Sequence, residues 1–284
     1  MGNTAIEWAD KVWNPTFGCT KVSEGCKHCY AEIISKRFFE WDFQDVRPVP
    51  HRLQEPYKWK SPQKIFVGSL SDIFHKKIKY DYIMEILQVI ARNQHHTFMI
   101  LTKRAERMDD ILGIIPDEML SSLKNNLWVG VSVENIKRVH ERIIKLNHWH
   151  HCGFITFISC EPLLENIRPD LEMIDTGFVD WIILGGESGR NSRPLMINHA
   201  REIREYCKLH EIPFFFKQWG NWVYYDDQIQ WMREYKRNLK KNSKYVFVDP
   251  YGDTYIRASK KMTGHRLDGH IYQEFPKRSD EKAI

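Results

Sequence analysis

No stretch of this 284-residue chain reaches the ~18 consecutive apolar residues that a membrane-spanning helix needs. The start, MGNTAIEWADK, lacks the apolar centre of a secretory signal, and Gly2 is not followed by the Ser or Thr of a myristoylation signal. We therefore expect a cytoplasmic protein with no membrane partner. Cysteine is sparse, with six residues, and in a cytoplasmic chain that points to metal or redox chemistry rather than a disulfide framework. No exact repeat and no low-complexity linker divides the chain. The net charge of +5 is compatible with an anionic partner without indicating one. One segment departs from that balance: REYKRNLKKNSK, residues 233–244, holds six Lys or Arg and one acid. It reads as a solvated loop or as a segment that contacts phosphates.

Short apolar runs are plentiful: IFVGSL (65–70), TFMILT (97–102), LWVGVSV (127–133), FITFISC (154–160), VDWIILGG (179–186) and IPFFFK (212–217). Each is nearly continuous in apolar character, the pattern of strands buried on both faces. Helical periodicity fills most gaps, in YDYIMEILQVIARN (80–93), VENIKRVHERIIKLN (133–147) and NHAREIREYCKLH (198–210), the last opening on an Asn or His cap. EPLLENIRPDLEMIDTG (161–177) leaves room only for short helical turns. A first strand in VWNPTFG would make seven, and KYVFVD (244–249) lies outside the rhythm. Strand and helix alternating in this way predict an α/β fold with a parallel sheet. We expect a (β/α) barrel over residues 1–222, partial with six to eight strands, and a basic C-terminal extension over 223–284 packed on it.

Polar residues follow each run. Ser69, Ser71 and Asp72 follow the second strand, and Lys103 and Arg104 the third. Ser132 and Glu134 accompany the fourth, and Ser159, Cys160 and Glu161 the fifth. Gly185, Gly186 and Glu187 end the sixth, and Lys217 ends the last. In a parallel barrel all strand C-termini open on one face, where active sites are built. Such a mouth, with acids beside bases, suits a zwitterionic ligand.

The first strand leads into FGCTKVSEGCKHCYAE, where Cys19, Cys26 and Cys29 form Cys-x6-Cys-x2-Cys. A fourth cysteine would close a structural zinc site. Three thiolates on a [4Fe–4S] cluster leave one iron free for a ligand. Zinc held by the three thiols and His28, or three unligated thiols, are the competing readings. Cys152 and Cys207 read as packing residues. Cys160 reads as a core thiol first, and second as a mouth residue that could complete an electron-transfer cluster. Trp8, Trp13, Trp219 and Trp222 flank the expected mouth, as core or lid residues or as platforms for stacked bases.

A three-cysteine loop after the first strand of a parallel barrel resembles the radical S-adenosylmethionine (radical SAM) superfamily. There the first gap is usually three residues, not six, and an aromatic stands where this chain has His28. The segments WNPTFGCTKVSEGCKHCYAE, FVGSLSDIFH, ILTKRAERM, WVGVSVEN, SCEPLL, WIILGGESG, PFFFKQWG and GHRLDGHIYQEFP are similar to the phage Gp37/Gp68 family, also called DUF5131.

The resemblance implies a radical SAM type of barrel, a [4Fe–4S] cluster on Cys19, Cys26 and Cys29, and S-adenosylmethionine as cofactor. It also implies a reductase or flavodoxin-type electron donor and a three-Cys-motif partner protein. His28 would pack over the ligand, Asp72 with Ser69 would accept the methionyl ammonium, and Lys103 or Arg104 would meet the carboxylate. Ser132 and Glu134 would hold the ribose, and Gly185 and Gly186 would let the ligand approach the backbone. Glu161, Glu187 and Lys217 would be left for the substrate, with a nucleic-acid base the expected class. A non-catalytic Fe–S or zinc nucleic-acid-binding module and an electron-transfer Fe–S protein are the alternatives.

Overall fold

The computed structural model describes residues 4, 6–39, 41–174, 176–226, 229–237 and 244–277. Seven strands form one parallel sheet in the order β1-β4-β5-β6-β7-β8-β9, an open half-barrel. They are β1 (Lys11–Trp13), β4 (Lys64–Val67), β5 (Thr97–Thr102), β6 (Leu127–Ser132), β7 (Ile155–Cys160), β8 (Trp181–Gly185) and β9 (Phe214–Gln218). Sequential strands are neighbours, so each crossover helix packs outside the strands it joins. The expected first strand is two. β1 ends before Asn14, and β2 (Thr16–Phe17) turns away to pair antiparallel with β3 (Arg47–Pro48). Pro15 has no N–H to give the ladder, so the parallel pairing stops there.

The helices are α1 (Tyr30–Phe38), α2 (Tyr80–Arg92), α3 (Ala105–Leu112), α4 (Asp117–Leu123), α5 (Ile136–Arg138), α6 (Ile144–His151), α7 (Arg168–Met173), α8 (Ile197–Leu209), α9 (Gln230–Arg237) and α10 (Lys260–Thr263). A π-helical turn at Val139–Ile143 joins α5 to α6. The N-cap of α8 is Met196, not Asn198 or His199, which fall inside its first turn. The cap comes from far away: the Tyr255 hydroxyl accepts from the Ile197 N–H at 2.8 Å.

The near-continuous apolar strands divide their side chains between two cores. Residues such as Phe98, Ile100, Val129, Ile158 and Leu184 meet the helices, whereas Phe66, Met99, Trp128, Phe157, Trp181 and Phe215 fill the barrel interior. The interior is aromatic, with Trp128 and Trp181 edge to face at 5.8 Å. Gly130 is required there, because a Cβ would stand 2.5 Å from the Phe157 ring. A second sheet, β10 (Trp222–Tyr224), β12 (Thr254–Arg257) and β11 (Val246–Val248), is antiparallel and includes the 244–249 segment. Its Val223, Tyr255 and Ile256 join the same core cluster as the strands and outer helices of the barrel. Residues 238–243 of the basic run lie outside the described residues. Among the described residues no helix is long and apolar enough to cross a membrane.

Candidate active site

The C-terminal ends of β4 to β9 and the cysteine loop enclose a cavity of about 220 Å³. Cys19, Cys26 and Cys29 all line it. The chain turns into the loop at Gly18, whose φ is +81°, and a Cβ there would stand 2.6 Å from the Phe43 carbonyl oxygen. The Cys19 N–H then donates to that same carbonyl at 2.8 Å. A single 3-10 turn, Glu24–Cys26, positions the second thiol, and Cys29 sits at the N-cap of α1.

Cys19 is held in a charged network. Nη1 of Arg104 lies 3.5 Å from its sulfur and 2.9 Å from Oδ2 of Asp72. Nη2 of Arg104 donates to the carbonyl and hydroxyl of Thr20 at 3.0 and 3.2 Å. Asp72 also accepts from the Thr102 hydroxyl and from the Phe74 and Lys103 N–H groups. Its carboxylate is thus spent on Arg104 and on its own strand ends, and an incoming ammonium would compete with all of them. Burial pushes the Cys19 thiol up to about 11, with the Asp72 charge adding and the Arg104 guanidinium opposing.

His75 was not singled out, although it ends the motif FVGSLSDIFH. Its Nδ1 accepts from the Lys77 N–H at 3.2 Å, so Nε2 carries the proton and faces the Thr20 hydroxyl at 2.9 Å. Burial, reinforced by Arg104, lowers its pKa to about 4.

Two expected ligand-facing acids are tied to basic residues behind the loop, and of the two only Glu187 lines the cavity. Glu134 is buried and pairs with Arg142 at 2.9 Å, and its other oxygen accepts weakly from the Gly25 N–H at 3.4 Å. It is not among the cavity-lining residues, although Ser132 is. Glu187 accepts from Arg193 at 2.6 Å, and Arg193 reaches the Glu24 carbonyl at 3.1 Å. Arg142 and Arg193 had no sequence signal, since each looks like an ordinary basic residue.

Glu161 and Lys217 form an ion pair of 2.7 Å inside the cavity, with Ser159 donating to Glu161 at 3.0 Å. Gly186 lines the cavity and Gly185 does not, and at both the absent side chain makes room for protein. At Gly185 a Cβ would stand 2.9 Å from the Glu161 carboxylate, and at Gly186 1.9 Å from the Trp219 carbonyl oxygen. His28, Ser69 and Lys103 line the cavity. Ser69 donates to Asn14 at 3.2 Å, and its carbonyl accepts from the Tyr30 hydroxyl at 2.7 Å.

Of the four tryptophans, only Trp8 lines the cavity; Trp13 and Trp219 are core residues whose indole N–H groups donate to Arg52 and Arg266 carbonyls, and Trp222 donates to Ser192. Cys160 is fully buried against the helix layer and cannot serve as a fourth ligand in the cavity.

The donor set fits an iron–sulfur cluster with one iron left open: three thiols on one cavity, and no fourth among its lining residues. Among the described residues no group of three or more His, Cys, Asp or Glu is gathered as a single metal ion would need.

The family model described as "Protein of unknown function (DUF5131)" matches residues 3–276. The chain belongs to that family. No curated protein matches this family member. Among solved structures, a spore photoproduct lyase variant is 12% identical, with a TM-score of 0.48 and coverage of 91% of this chain and 72% of the other. Spore photoproduct lyase complexed with dinucleoside spore photoproduct is 11% identical, with a TM-score of 0.47 over 91% and 72% of the two chains. A variant with bound AdoMet and the same dinucleoside is 11% identical, with a TM-score of 0.44 over 89% and 70%.

Proposed function

We propose that this protein is a radical SAM enzyme whose Cys19, Cys26 and Cys29 hold a [4Fe–4S] cluster that binds S-adenosylmethionine. The observation that carries the reading is that three thiols, without a fourth, line one cavity that also holds the Glu161–Lys217 pair. Such a cluster, when reduced, would supply the electron, and bound S-adenosylmethionine the adenosyl group, for radical chemistry that removes a hydrogen atom from a substrate.

The chain's own part is binding, orientation and exclusion of water. Arg104, fixed by Asp72 and Thr20, places a cation beside Cys19 that offsets the negative charge of bound thiolates. Glu134 through Arg142, and Glu187 through Arg193, fix the loop that carries the thiols. Among the described residues the Lys103 ammonium has no ion-pair partner, which suits it to the cofactor's carboxylate, with His28, Ser69 and Ser132 on the same cavity for its remaining polar groups. Glu161 and Lys217 face the substrate and can hold or pass a proton. The reading extends to a nucleic-acid base as substrate, on the strength of the aromatic wall of Trp8, Phe66 and Tyr30.

Anaerobic purification with iron and sulfide analysis, followed by EPR of the reduced protein with and without S-adenosylmethionine, tests the reading. About four irons per chain and a signal altered by the cofactor are expected. Substitution of all three cysteines by Ala should abolish iron binding. Iron content that survives that substitution, or zinc alone after anaerobic reconstitution, overturns it.

A further inference from the structure

Nη1 of Arg104 stands between a thiol and a carboxylate, 3.5 Å from the Cys19 sulfur and 2.9 Å from Oδ2 of Asp72. Nη2 holds the carbonyl and hydroxyl of Thr20, and that hydroxyl lies 2.9 Å from Nε2 of His75. The Arg104 backbone N–H is fixed as well, donating to the Thr102 hydroxyl at 2.9 Å. Asp72 is held by the Thr102 hydroxyl and by the N–H groups of Phe74 and Lys103. The Arg104 and Asp72 side chains are 13% and 8% exposed. Their charges therefore act through protein rather than water, where a fixed charge is felt more strongly. Strand-end position suggests a zwitterionic ligand for both residues. The geometry gives them a nearer object, the Cys19 sulfur.

The three thiols are not equivalent. Among the described residues Arg104 is the one cation hydrogen-bonded to a sulfur of the loop, whereas Cys26 has the Ser23 hydroxyl at 3.9 Å. Reduction adds one negative charge to an iron–sulfur cluster. A cation and an N–H donor held at a ligating sulfur stabilise that added charge and raise the reduction potential, and a carboxylate beside them opposes it. Arg104 touches the sulfur directly, and Asp72 reaches it through Arg104. The cation is therefore the stronger influence of the two.

We propose that Arg104 and Asp72 set the cluster's reduction potential from opposite sides, Arg104 raising it through Cys19 and Asp72 holding it down. The proposal rests on the cluster reading above. Both residues act through the Cys19 ligand, and neither needs to touch the substrate. In the step they govern, a one-electron reductant is oxidised and its electron enters the cluster, with no bond made or broken.

The test is an EPR-monitored redox titration of the full chain with dithionite, after iron and sulfide analysis and without S-adenosylmethionine, so that any contact with that cofactor's carboxylate does not enter. Arg104→Gln should lower the midpoint potential by at least ~59 mV, which is tenfold in a one-electron equilibrium. Asp72→Asn should raise it. Arg104→Lys, which keeps the charge, should stay closer to wild type than Arg104→Gln. An unchanged midpoint in Arg104→Gln overturns the proposal. So do shifts of the same sign in Arg104→Gln and Asp72→Asn, which mark a general loosening of the site. Where one of those two variants fails to keep its irons, the other decides: the stated sign supports the proposal and its absence overturns it. Loss of the cluster from both also overturns it, because the pair then serves assembly of the site. A wild-type protein without a cluster overturns the underlying reading and this proposal with it, and the iron and sulfide analysis separates that failure from the others.

Discussion

His75 is almost fully buried beside Arg104, and both conditions disfavour its charged form. The folded-state pKa is about 4, against about 6.5 in an unfolded chain. Between those two values the unfolded state binds a proton that the folded state refuses, so stability rises with pH across that window. Its contribution is complete above pH ~6.5 and is lost as the pH falls toward ~4, with a limiting slope of ~1.4 kcal/mol per pH unit. His96 and His199 are shifted in the same direction by burial and steepen the fall. Urea unfolding of wild type and His75→Gln at pH 7 and pH 5 isolates the share of His75. The wild type should lose more stability than the variant between the two conditions. Equal losses would mean that His75 is not held neutral.

At the level of elements, the cap of α8 shows where local sequence stops informing. Asn198 and His199 looked like start signals because such residues favour caps. The helix instead begins at Ile197, and its first N–H is satisfied by Tyr255, 58 residues later. No local rule reports a hydrogen bond made by a distant strand. Tyr255→Phe leaves that buried N–H without its acceptor and should cost about 1–3 kcal/mol, read as a lower urea midpoint with an unchanged m-value. A midpoint equal to wild type would show that the helix end finds another acceptor.

The strands were more legible than the caps, because burial on both faces leaves a continuous apolar run that few other elements produce. The cysteine loop was legible for the same kind of reason: its three thiols are rare, close together and chemically specific. Glu134 and Gly185 looked like ligand contacts from their place at strand ends but do not line the cavity, whereas Gly186 and Glu187 do. Their protein neighbours, Arg142, Arg193, Glu161 and Trp219, follow from packing across the barrel that strand-end position does not encode.

At the scale of the whole molecule, the C-terminal region completes the barrel. The sheet leaves β9 at an edge, and an unpaired edge invites aggregation. Residues 272–274 cover it: Phe216 donates to the Tyr272 carbonyl at 2.9 Å, Phe214 donates to the Glu274 carboxylate at 2.9 Å, and the Glu274 N–H returns a bond at 3.2 Å. The Trp181 indole N–H donates to the Glu274 carbonyl at 2.8 Å, tying the same segment to the aromatic interior. Val223, Tyr255, Ile256 and Leu267 are buried in the cluster that contains the barrel's outer core. Removing these four side chains forfeits roughly 6–12 kcal/mol of burial, comparable with the roughly 5–15 kcal/mol that holds a typical domain folded. The full chain should therefore unfold in one cooperative transition followed by far-UV circular dichroism in urea. A chain ending at residue 222 should aggregate or show no cooperative transition. A soluble 1–222 fragment that unfolds sharply near the wild-type midpoint would show that the barrel stands without its cover.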